Sequence, residues 1–81
     1  MKTPGIPAIQ IARQYSVLTL FDHYTKEYVS RSPEFGDAVI GVAMSRQESV
    51  SMLEDQLADM VQFYLDEEIE LPDVREYVEH E

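Results

Sequence analysis

The chain has no cysteine, which excludes a disulfide framework, a thiolate metal site and a thiol nucleophile. Basic residues are scarce: six Lys and Arg stand against 16 Asp and Glu, for a formal charge of −10. Direct binding of nucleic acid is therefore not expected, because holding phosphates needs a basic face. No apolar run approaches the roughly 20 residues of a membrane span, and the N-terminus lacks the apolar stretch of a signal peptide. No Gly-rich phosphate loop and no Gly-x-Ser-x-Gly elbow occur in the sequence. With 81 residues there is room for one domain. These absences leave an acidic, cytoplasmic, single-domain protein as the expectation.

What is present is patterned. The first 46 residues carry five Lys and Arg against four Asp and Glu, a net of +1, whereas residues 47–81 carry Arg75 against twelve acids, a net of −11. The excess negative charge thus belongs to one segment.

Residues 1–13 hold two prolines around a glycine and read as an irregular lead-in, with a single domain over 14–81. Tyr15 to Phe21 is rich in β-branched and aromatic residues and predicts a strand. Asp22 to Lys26 has the length of a hairpin loop. Glu27 to Ser32 predicts a second strand, which Pro33 ends because it lacks an N–H donor. Ala38 to Met44 is apolar on both pleat faces, as suits a strand covered on both sides. Ser45-Arg46-Gln47-Glu48 is a capping box, in which the Ser hydroxyl accepts the Glu48 amide and Glu48 reaches back to the Ser45 amide. Val50, Leu53, Leu57, Met60, Val61 and Tyr64 then form a helical stripe over 46–67. Acids at the C-terminal end oppose the helix dipole, so fraying is expected there. Beyond Pro72, residues 73–80 read either as a helix or as a short edge strand. The fold class is α+β: a three-stranded antiparallel meander packed by one long helix, with a short C-terminal strand or helix.

Candidates for chemistry are few. His23 lies in a turn and His80 is next to last; neither has a second imidazole or thiol beside it in sequence, so a solvated histidine is the simpler reading and no metal site is expected. Acid clusters such as Glu54-Asp55 with Asp59 lack calcium-loop spacing. Ser45, Ser49 and Ser51 read as a cap followed by surface helix serines, and Met44, Met52 and Met60 as core and helix-face filling. No catalytic residue and no cofactor are expected. Phe63 and Tyr64 are neighbours on the helix and cannot both face the sheet, so one is available to a partner; Tyr24 and Tyr28 near the hairpin raise the same question.

The order of these elements, with the aromatic-led strand from Tyr15, Tyr28-Val29-Ser30, the Pro33-Glu34-Phe35-Gly36 turn, the Ser45-to-Glu48 helix start and Leu71-Pro72 after the helix, resembles the HicB-like antitoxin family over roughly residues 14–72. The resemblance implies a truncated ribonuclease-H-like unit that binds a small basic RNA-cleaving toxin and covers its active site. The nine residues after Pro72 are too few for the DNA-binding segment that many relatives carry, so operator binding is not expected.

The implied function is a non-enzymatic, acidic protein-interaction module with a small basic protein as partner. Asp55, Asp59, Asp66, Glu67 and Glu70 are the expected contacts, with Phe63 as an apolar anchor, since exposed ion pairs alone contribute little. A homo-oligomer is also expected, because the domain is small and its third strand or sheet edge can be shared. The alternatives are a nucleic-acid-mimicking inhibitor of a larger nucleic-acid enzyme, for instance a phage-encoded one, and a stand-alone structural or regulatory domain.

Overall fold

The structure is a computed structural model and describes residues 7–74. Its elements are α1 (Ala8–Ala12), β1 (Leu18–Asp22), β2 (Glu27–Ser32), β3 (Gly36–Ala43) and α2 (Arg46–Asp66). The strands form an antiparallel meander in the order β1-β2-β3. One face of this sheet packs on α2, giving the expected α+β architecture. The expected C-terminal strand or helix falls largely outside the described residues, which reach residue 74 without entering another element.

Local chemistry sets the boundaries. At the β1–β2 hairpin the Asp22 carboxylate accepts the Tyr24 amide at 2.8 Å, and Lys26 takes a left-handed φ of 62° to close the turn. Pro33 ends β2, and Gly36 supplies the φ of +58° that starts β3. The Glu34 carboxylate in that turn accepts the Ser16 amide and hydroxyl and the Ser32 hydroxyl, all at 3.0–3.2 Å. This clamp pins the approach to β1 against the β2–β3 turn.

Ser45 caps α2 by accepting the Glu48 amide at 3.2 Å, as the motif predicts. The return bond differs, because Glu48 accepts from the Ser45 hydroxyl at 3.1 Å instead of from its amide. At the far end the helix is closed by a Schellman turn. The Ile69 amide donates to the Tyr64 carbonyl and the Glu68 amide to Leu65, with Glu68 at φ 56°. The helix thus ends on a defined hydrogen-bonded stop, with a glutamate in the left-handed position.

Leu53, Leu57 and Val61 of α2, Val39 of β3, Phe35, Tyr15 and Ala12 are the buried apolar core. Two expectations change at its N-terminal side. The lead-in contains a short helix, α1, whose Ala12 is buried against the core. Tyr15 stands outside β1 and enters the core, its ring edge-on to Phe35 at 4.8 Å. Its hydroxyl donates to the Pro72 carbonyl at 2.7 Å, tying the start of the domain to the segment after α2. Burial pushes the Tyr15 phenol pKa up, and Glu34, Asp73 and Tyr64 nearby add to the rise.

The face of the sheet toward α2 carries one polar row, set between the Phe21, Tyr28 and Ala43 row and the buried Val39. Thr19, Ser30 and Gly41 form this cross-strand row. The Ser49 hydroxyl donates to the Gly41 carbonyl at 3.0 Å and lies 2.7 Å from Ser30, which lies 2.8 Å from Thr19. A hydroxyl has one proton, so Ser30 donates to Ser49 and Thr19 donates to Ser30. Ser49 is therefore a fully buried element of the helix–sheet contact and not a surface serine. Gly41 makes that contact possible, since a Cβ there would lie 2.1 Å from the Ser49 carbonyl oxygen.

The opposite face is apolar over two rows, with the Asp22 and Glu27 pair beyond them. Leu20, Val29 and Val42 form one row across the three strands, and Leu18, Arg31 and Ile40 the next. Among the described residues no element packs on it, so within them β3 is covered on the α2 face alone, where cover on both sides was expected. Met44, expected in the core, is also exposed.

Candidate interaction surface

Asp55, Asp59 and Asp66 share one stripe of α2 with Glu48, all within about 40° of one another at about 100° per residue. This stripe points away from the buried Leu53, Leu57 and Val61, and its acids are exposed. Phe63 flanks the stripe with 53% of its surface exposed, and Met52 is exposed on the same flank. Tyr64, the neighbouring aromatic, turns inward to Phe35 with the rings edge-on at 5.8 Å. The pair thus divides as the helical geometry requires: Tyr64 packs inward and Phe63 faces out.

Between this stripe and β3 runs an open groove of about 420 Å³, lined by Ala38, Val39, Gln56, Asp59, Met60 and Phe63. Asp59 and Phe63 are brought together in it, and Asp55 lies one helical turn before Asp59. Gln56 forms part of the floor in a way the sequence did not signal. Its carboxamide accepts the Ile40 amide at 2.9 Å and donates to the Ile40 carbonyl. Those two backbone groups belong to the outer edge of β3, so the side chain occupies the position of a neighbouring strand and closes the edge there. An amide side chain on a core-adjacent helix position was the available clue, because burying it demands partners.

Glu67 and Glu70 are not gathered into the groove. Glu67 is the C-cap of α2 and Glu70 lies in the segment after the Schellman turn, both exposed. They extend the negative field beyond the helix end. Asp66 accepts from Gln62 at 2.9 Å on the helix surface. From residue 47 to residue 74 there are nine acids and no Lys or Arg. Arg46, at the helix start, sits over the Tyr28 ring at 5.6 Å, at the opposite end of α2.

The other candidates resolve simply. His23 is exposed in the hairpin turn and packs edge-on to Phe21 at 5.0 Å. Among the described residues no three His, Asp or Glu side chains converge as a metal site requires. Among the same residues no helix is long and apolar enough to cross a membrane. What the α2 face can do chemically is present carboxylates around an apolar ring and a groove, a combination suited to an amphipathic cationic surface. No family model, curated protein or solved structure matches the chain.

Proposed function

We propose that this chain is a protein-interaction module and not an enzyme, and that its α2 face binds a small basic protein. The observation that carries the reading is the shared helix face: Asp55, Asp59 and Asp66 in one row, with Phe63 exposed beside them over an apolar groove. Carboxylates steer a cationic partner and set its register, while the phenyl ring and Met60 provide area that can be desolvated. The similarity to HicB-like antitoxins supplies the partner class, a small RNA-cleaving toxin. Lys and Arg that hold RNA phosphates in such a toxin would pair with the α2 carboxylates, and its active site would be covered.

The test is co-purification from the native host at low and moderate salt, using the wild-type chain and Phe63→Ala. The reading expects a small basic protein that cleaves RNA when free, loses that activity when the chain is added, and is held poorly by Phe63→Ala. Recovery of a large nucleic-acid enzyme that nucleic acid displaces would favour the mimic instead. If no basic protein binds at either salt, the module reading fails.

A further inference from the structure

β3 is an edge strand: β2 pairs with one side of it, and among the described residues no strand pairs with the other. On that free side the Ile40 amide and carbonyl both go to the Gln56 carboxamide. One acceptor and one donor side by side are what a residue of a neighbouring strand presents. Alternate residues of a strand turn their backbone groups to the same side, so Val42 directs its N–H and C=O there as well. Among the described residues β3 contacts β2 and α2 alone, and α2 supplies Gln56 to this edge. Beside that contact lies the groove, with Ala38 and Val39 of β3 on one wall and Asp59, Met60 and Phe63 of α2 on the other.

We propose that the basic partner presents an extended segment, which adds to the free edge of β3 as a fourth strand and takes Ile40 over from Gln56. The inference rests on the α2-face reading and adds to it the form in which the partner binds. Backbone chemistry selects a strand, since edge N–H and C=O groups are a template for one, whereas the backbone groups of a helix are already paired within it. Charge selects a cationic segment. Asp59 lines the groove, and residues 47–74 hold nine acids and no Lys or Arg, so an anionic segment is repelled. In an added strand every second side chain points to the α2 side. There an apolar side chain enters the groove against Met60 and Phe63, and a Lys or Arg two residues away meets Asp59. In the free chain Gln56 holds the edge at Ile40 and so keeps it from unspecific strand pairing.

The probe is the acetylated and amidated peptide Lys-Thr-Val-Thr-Lys-Thr-Val, titrated into the full chain and followed by backbone amide NMR. Binding is expected to shift the Ile40 and Val42 amides and to slow hydrogen exchange at Val42. Two versions of the peptide are N-methylated at alternate residues, one set in each. The version that turns its methyls to β3 should bind at least about tenfold more weakly, while the other binds as the parent does. Gln56→Ala should tighten the parent peptide about fivefold, because no side chain then competes for Ile40. A cooperative thermal melt verifies that this variant folds, and the N-methylated pair reports on the wild-type chain in any case. A peptide that does not bind, or one held equally in both N-methylated versions, overturns the proposal. Failure of the α2-face reading shows separately, as a co-purified basic protein whose affinity ignores Asp55→Asn with Asp59→Asn.

Discussion

The Ser30 hydroxyl lies 2.7 Å from the Ser49 hydroxyl, and both side chains are fully buried between β2 and α2. This contact organises the molecule. Small polar residues at the helix–sheet contact let α2 approach β3 until the Ser49 carbonyl would lie 2.1 Å from a Cβ at Gly41. Apolar packing at this layer is then concentrated toward one end, where Leu53, Leu57, Val61, Phe35 and Tyr15 meet. Leu18, Leu20, Val29, Ile40 and Val42 lie on the outer face of the sheet, and the helix's acids face the other way. Two faces of different chemistry result, one apolar and one anionic.

Ser49→Ala tests the hydroxyl relay. The substitution removes the donor to the Gly41 carbonyl and strands the proton of the buried Ser30 hydroxyl, which keeps its bond from Thr19. Destabilisation of about 1–3 kcal/mol is expected by urea unfolding. The double variant Ser30→Ala with Ser49→Ala should cost less than the sum of the two single variants, since neither partner is then stranded.

Gly41→Ala tests the close approach. The added methyl meets backbone, which cannot swing aside as a side chain can. A loss of about 3 kcal/mol is expected, against a few tenths for a change at a solvated strand position. An unchanged urea midpoint would mean that helix and sheet are not this close.

Much of this was legible in the residues, and the exceptions have physical causes. β2 from Glu27 to Ser32 and the Ser45 cap were readable because Pro33 and the Ser45-to-Glu48 spacing act locally on backbone hydrogen bonding. The α2 stripe was readable because Leu53, Leu57 and Val61 repeat at the helical period. Ser49 was misplaced because periodicity counts serine as polar, although it sits four residues before Leu53, in phase with the buried stripe. The polar row of Thr19, Ser30 and Gly41 at the helix contact is not readable from the sequence either, since alternation shows which residues share a face but not which face meets the helix. Tyr15 was read as strand from its β-propensity, yet the Glu34 clamp on Ser16 and the bond to Pro72 draw it into the core. The row of Asp55, Asp59 and Asp66 followed from helical spacing alone, whereas the groove beside it depends on β3 and was not visible until the strand was placed.

Glu68→Gly is expected to stabilise the chain by about 1 kcal/mol. Glu68 holds φ 56°, a conformation strained for residues with a Cβ, and glycine removes that strain. Glu68→Gln separates the backbone effect from charge, and should recover only the few tenths of a kcal/mol that an acid near a helix C-terminus costs. Thermal denaturation of the two variants checks the difference.

Tyr15→Phe should lower stability by about 1 kcal/mol at neutral pH through loss of the bond to Pro72. Because the folded-state phenol pKa is raised above 10.0, the folded chain holds that proton more tightly than the unfolded chain. The resulting stability is complete below pH 10 and is lost as pH rises through the folded-state value. The wild type should therefore lose its advantage over Tyr15→Phe in strongly alkaline solution, followed by urea unfolding across that range.

The central claim, that the α2 face is the surface for a basic partner, is tested most directly by titration calorimetry of the co-purified basic protein. The comparison is between the wild-type chain, Asp55→Asn with Asp59→Asn, Phe63→Ala, and Leu20→Lys on the opposite face. The account predicts that the first two variants weaken binding at least about tenfold, that the Asp pair also flattens its salt dependence, and that Leu20→Lys binds as the wild type does. Unchanged affinity in the α2 variants, or a loss confined to Leu20→Lys, would contradict it.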